Sequence, residues 1–117
     1  MPERPPHTHL PLKPVLFWIL LVLEDRSSHG YRILKEIEAR SEGRFRLEPG
    51  NLYRYLRKLL DDGLIEEEEQ DASADDRRRT YGVTPLGRAV IQAETERMRA
   101  LVQAVDMQRA NADGASA

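Results

Sequence analysis

Cysteine is absent from the 117 residues, which excludes a disulfide framework and thiolate zinc sites and fits a reducing interior. Aromatic residues make up only 6%, so aliphatic side chains must form the core; 40% hydrophobic content over this length suffices for one modest domain. No apolar run approaches the roughly 20 residues that span a bilayer. The longest, Val15 to Leu23, follows prolines rather than the charged start of a signal peptide, so a cytoplasmic protein is expected.

Enzymatic signatures are missing too. The chain has no Gly-rich phosphate loop, nucleophile elbow or zinc-binding helix pattern, and carboxylate pairs mean little among 20 Asp and Glu. His7 and His9 stand without a further ligand, which predicts no metal and no cofactor. The expectation is a binding protein, not an enzyme.

The formal net charge of -2 is unfavourable for a nucleic-acid binder, whose Lys and Arg must displace counterions from phosphates. Its distribution is not. Five basic residues against the single Glu48 lie between Arg44 and Lys58, and Arg77, Arg78 and Arg79 are consecutive, whereas acids gather at Asp61 to Glu69 and at Asp75 and Asp76.

The pattern predicts a mainly α chain with a small β-hairpin wing. Residues 1–13 read as a flexible proline-rich tail, 14–84 as a winged helix-turn-helix domain, 85–108 as a C-terminal dimerisation helix and 109–117 as a second flexible tail. Lys13 to Asp25 is apolar nearly all round, as a central buried helix is. Ser27 and Ser28 offer N-caps for an amphipathic second helix through Ile33, Leu34 and Ile37, stopped near Gly43. Pro49 suits the first turn of a third helix that Gly63 ends. Leu64 to Gln70 and Arg79 to Thr84 suit strands around the polar tip Asp71 to Asp76. Thr84 and Pro85 then open a long helix with no breaker until Gly114.

On a helical wheel, Leu52, Leu56, Leu59 and Leu60 form one stripe of the third helix. Gly50, Asn51, Arg54, Arg57 and Lys58 form the opposite face, with Tyr53 and Tyr55 on its flanks. A basic face on the second helix of a helix-turn-helix is what major-groove docking requires. Arg77, Arg78 and Arg79 at a hairpin tip suit a wing that lays cations on phosphates. The long helix carries Val90, Ala93, Met98, Leu101, Val102 and Val105 beyond what a small core can cover, so a second copy is the simplest partner.

His29-Gly30-Tyr31, Pro49-Gly50-Asn51-Leu52-Tyr53, Leu56-Arg57-Lys58-Leu59 and Asp62-Gly63-Leu64-Ile65 occur in order, followed by Arg79-Thr80-Tyr81 and Thr84-Pro85-Leu86-Gly87. The series, covering Val15 to Arg88, resembles the PadR-like family of bacterial transcriptional regulators in its short, single C-terminal helix form. The resemblance implies a homodimeric winged helix, usually a repressor, on a double-stranded operator. It also implies that Tyr31, Asn51 and Tyr53 lie at the DNA backbone and that the third helix enters the major groove. The chain departs from the family pattern with Asn51 for the usual Thr or Ser, Arg54 for a frequent Pro and Tyr55 for a small residue. Ligand-responsive family members suggest a small-molecule effector pocket, for which Phe17, Trp18, Tyr55 and Met98 are candidates beside the alternative of plain packing. A winged-helix protein-docking module without DNA binding remains the competing reading, because fold alone does not decide function.

Overall fold

A computed structural model describes residues 4–68 and 79–115. Among them are four α-helices and a three-stranded antiparallel sheet. Helix α1 (Pro14–Asp25) begins on a proline, whose missing N–H would be unpaired there anyway. Leu16, Ile19, Leu20, Val22 and Leu23 are all buried, which makes this helix the central post the sequence predicts. Helix α2 (Gly30–Arg40) packs Ile33 and Ile37 on it, and helix α3 (Pro49–Asp61) adds Leu52, Leu56 and Leu59. Each fully buried aliphatic side chain contributes about 1.5–3 kcal/mol relative to exposure. At the surface, Asp25 at the end of α1 accepts a hydrogen bond from Arg40 of α2 at 2.8 Å. That bond, with the attraction of the same guanidinium, holds the Asp25 carboxyl below the usual carboxylate range.

Neither Ser27 nor Ser28 caps α2. His29 does, its Nδ1 accepting the Arg32 backbone N–H at 3.2 Å, because Ser28 and His29 form a short strand, β1 (Ser28–His29). Strand β3 (Thr80–Val83) lies between β1 and β2 (Ile65–Glu68), with Ser28 opposite Tyr81 and Ile65 opposite Val83. The wing is therefore anchored to the α1–α2 connection as well as to α3. The hairpin tip, with Arg77 and Arg78, lies outside the described residues.

Gly63 ends α3 in the left-handed region (φ +76°), so the Leu64 N–H returns to the Leu59 carbonyl at 3.0 Å. Thr84 joins wing to helix. Its hydroxyl donates to the Gly63 carbonyl at 2.7 Å and accepts the Gly87 N–H at 3.0 Å, capping helix α4 (Pro85–Ala115). A Cβ at Gly87 would stand 2.1 Å from the Leu64 carbonyl oxygen, so only glycine permits this approach.

Two boundary expectations change. Pro6–His9 form a short 3-10 helix, and the segment ahead of α1 packs on α4 instead of trailing free, since Leu10 and Leu12 reach the core and the Leu12 N–H donates to buried Glu94. Helix α4 also continues past residue 108 to Ala115, because no residue before Gly114, one position from its end, breaks a helix.

Candidate nucleic-acid interface

Helix α3 has two unlike faces. Leu52, Leu56 and Leu59 are at most 1% exposed, while Gly50, Asn51, Arg54, Arg57 and Lys58 all face solvent. The wheel derived from sequence is thus the observed one, with Leu60 and Tyr55 half-buried on its borders.

The cations on this face are held loosely. Arg57 pairs with Asp61 at 3.6 Å and Lys58 with Asp62 at 3.2 Å, both one turn apart on the exposed surface. Such pairs are worth about 0–1 kcal/mol, so exchanging a carboxylate for a phosphate costs little. Arg54 has no carboxylate partner among the described residues; its Nη2 donates to Asn51 Oδ1 at 2.7 Å, which holds both side chains together near the start of α3. Asn51 in place of a hydroxyl residue therefore comes with its own partner.

Two tyrosines flank the helix start, Tyr31 at 63% and Tyr53 at 58% exposure, large for aromatic residues in a chain that has few. Tyr53 brings its hydroxyl against Gly30, where an added Cβ would lie 3.5 Å from it. The Tyr31 ring stacks on His29 with centroids 6.5 Å apart, and Lys35 Nζ stands over the Tyr31 ring, 5.4 Å from its centroid. Lys35 is thus a cation beside exposed Tyr31; the sequence shows it only as one residue four positions beyond Tyr31, on the same side of α2. On the wing, Arg79 is exposed and pairs with Glu67 across the strands at 3.5 Å.

The other sequence-derived sites divide. On α4, Leu101, Val102 and Val105 are 55%, 58% and 49% exposed, and Met107 is 66% exposed, an apolar run with nothing over it among the described residues. Ala93 and Met98 are half-buried. Val90 does not belong with them. It is fully buried in the chain's own core and has no surface left for a partner, because this first part of α4 packs against α1. Phe17, Trp18 and Tyr55 pack against the core, and Trp18 lies edge-tilted on Phe45 at 6.2 Å. Neither cavity with a described lining includes these three or Met98.

Three core helices, a wing anchored by β1 and a solvent-facing second helix of the helix-turn-helix define a winged helix-turn-helix protein with a long C-terminal helix. The model of the transcriptional regulator PadR-like family matches residues 19–93, and the chain belongs to that family. It is a transcriptional regulator rather than an enzyme. The transcriptional regulator Rv3488 of Mycobacterium tuberculosis is 39% identical over 79 residues, covering 66% of this chain and 65% of that protein. Among solved structures, a PadR family regulator from Clostridium difficile superposes with a TM-score of 0.68 at 23% identity, over 81% of this chain and 97% of that one. Bacillus subtilis PadR in complex with operator DNA gives 0.62 at 20% identity, over 71% of this chain and 47% of that one. No described helix is long and apolar enough to cross a membrane.

Proposed function

We propose that the chain binds double-stranded DNA sequence-specifically in the cytoplasm, as a homodimeric repressor on an inverted-repeat operator. The observation that carries this reading is the exposed cationic face of α3, set opposite the Leu52, Leu56 and Leu59 stripe that locks the helix to the core. Arg54 and Arg57 reach base edges in the major groove; Tyr31, Gly50, Asn51, Tyr53 and Lys58 meet the backbone, and Arg77, Arg78 and Arg79 extend the contact from the wing. The operator complex of Bacillus subtilis PadR supports a DNA partner for this fold. Ala93, Met98, Leu101, Val102 and Val105 bring two copies together along α4, and the two α3 helices then address half-sites about 34 Å apart. Release by a small molecule completes the regulatory cycle.

The test is fluorescence anisotropy of labelled duplex from the gene's own upstream region, titrated at several salt concentrations with excess competitor DNA. Saturable binding that survives competitor, weakens steeply with salt and disappears on Arg54→Glu with Arg57→Glu is expected. Absence of binding at low salt overturns the reading in favour of a protein-docking module.

A further inference from the structure

A cavity of about 340 Å³ lies between the segment ahead of α1 and the C-terminal end of α3. Leu10, Leu12, Leu16, Leu59 and Leu64 give it an apolar lining. Arg4, Lys13 and Lys58 bring three cations to the same cavity, and Asp62 is the single carboxylate among the described lining residues. Asp62 already serves two of them, Lys58 at 3.2 Å and Arg4 at 3.5 Å, which leaves Lys13 without an acidic partner among the described residues.

His9 adds an independent observation. Arg4 Nη2 stands 3.3 Å from His9 Nδ1, and a guanidinium can only donate, so Nδ1 is the acceptor and the ring proton sits on Nε2. That Nε2 is buried and has no hydrogen-bond partner among the described residues, although His9 lines the cavity. A buried donor without an acceptor is destabilising, and an acceptor that reaches it from the cavity relieves that cost. Surplus positive charge, an unanswered N–H and an apolar lining describe one kind of occupant.

We propose that this cavity binds a small amphipathic anion, a molecule with a compact apolar body and one carboxylate head. The head is held by Arg4, Lys13 and His9, and the body lies on the half-buried Leu10 and Leu12. The volume falls at the lower end of the range for small-molecule pockets, which suits a body of several carbons and excludes a large ligand. A bare inorganic anion leaves the half-buried Leu10 and Leu12 uncovered, and a neutral apolar molecule leaves the cations and the imidazole N–H unanswered. The site is separate from the one expected around Phe17, Trp18, Tyr55 and Met98.

The test is a titration of the isotope-labelled full chain with octanoate, octanol and inorganic phosphate in parallel, followed by two-dimensional amide spectra without DNA. Because no DNA is present, its outcome is independent of the operator reading. Octanoate should give saturable shifts at Leu10, Leu12, Asp62 and Gly63, and octanol and phosphate should bind at least about tenfold more weakly, the loss of one charge-assisted hydrogen bond or more. Arg4→Gln and His9→Phe, each retaining a folded spectrum, should weaken octanoate by a similar factor. Shifts confined to Leu101 to Met107, octanol binding as tightly as octanoate, or indifference to both substitutions overturns the proposal.

Discussion

Glu94 and Leu12 are 82 positions apart in sequence, yet Glu94 Oε2 accepts the Leu12 backbone N–H at 2.6 Å, and the Glu94 side chain is almost wholly buried. Arg97, one turn further along α4, pairs with the other carboxyl oxygen. One acid thus ties the segment ahead of α1 to the C-terminal helix and satisfies a backbone donor that would otherwise be stranded against the leucines.

Glu94→Ala should therefore cost about 1–3 kcal/mol of stability, because it leaves the Leu12 N–H buried without an acceptor. Urea denaturation measures the loss, and hydrogen exchange at the Leu12 amide should quicken well beyond the global change. An unchanged midpoint would mean that water replaces the carboxyl.

Val102→Asp should abolish the proposed self-association while leaving the winged domain folded, since Val102 is 58% exposed. Sedimentation velocity reads the first effect and circular dichroism the second. A variant that remains dimeric assigns the apolar run on α4 to another use.

Gly87→Ala should destabilise by about 3 kcal/mol, the upper end of overpacking costs. The new Cβ would meet the Leu64 carbonyl oxygen at 2.1 Å, and backbone cannot rotate away as a side chain can. Thermal unfolding against the parent chain measures it.

Arg57→Ala should weaken DNA binding uniformly across sequences and reduce the salt slope by about one if Arg57 lies on phosphate, or relax preference at one base pair if it reads a base edge. Titrations at several salt concentrations against operator and scrambled duplex separate the two. Loss of neither affinity nor slope removes Arg57 from the interface.

Tyr81 is buried in the sheet. Burial first, and the nearby Glu67 carboxylate second, push its phenol above the ordinary value of 10.0, against a smaller opposing effect of Arg79. The fold therefore favours the neutral form. Its stability contribution is intact below the ordinary value and is lost as pH rises through the raised folded value. Tyr81→Phe should flatten the alkaline fall in stability seen in denaturant titrations across that range.

Much of this architecture was legible in the residues, for reasons visible element by element. Leu52, Leu56 and Leu59 repeat at helical spacing, and once they define the inside of α3 the cationic outside follows. Thr84 and Pro85 announce the start of α4, a capping residue followed by a first-turn proline, whereas the close approach of Gly87 to Leu64 shows only in the fold. Strand β1 was not legible: two residues have no period, and Ser28 and His29 are recognised as a strand only by Tyr81 and Thr80 across from them. The packing of Leu10 and Leu12 escaped for a related reason. Its partner, Glu94, reads as one more acid on a charged helix until the fold brings Leu12 to it. Val90 marks the limit from the other side, since an apolar stripe on a long helix does not show where the chain's own core stops and a partner's surface begins.

The hydroxyl of Thr84 makes α4 a lever. It clamps the first turn of that helix to the Gly63 carbonyl at the end of α3, so a rotation of one element at this joint is felt by the other. Thirty-one residues of helix extend about 46 Å from the clamp, so a tilt of roughly 5° at its base sweeps the far end through about 4 Å. Run in reverse, a modest displacement at the far end of α4 is geared down to a small adjustment at the end of α3, and Thr84 belongs to the joint through which it passes.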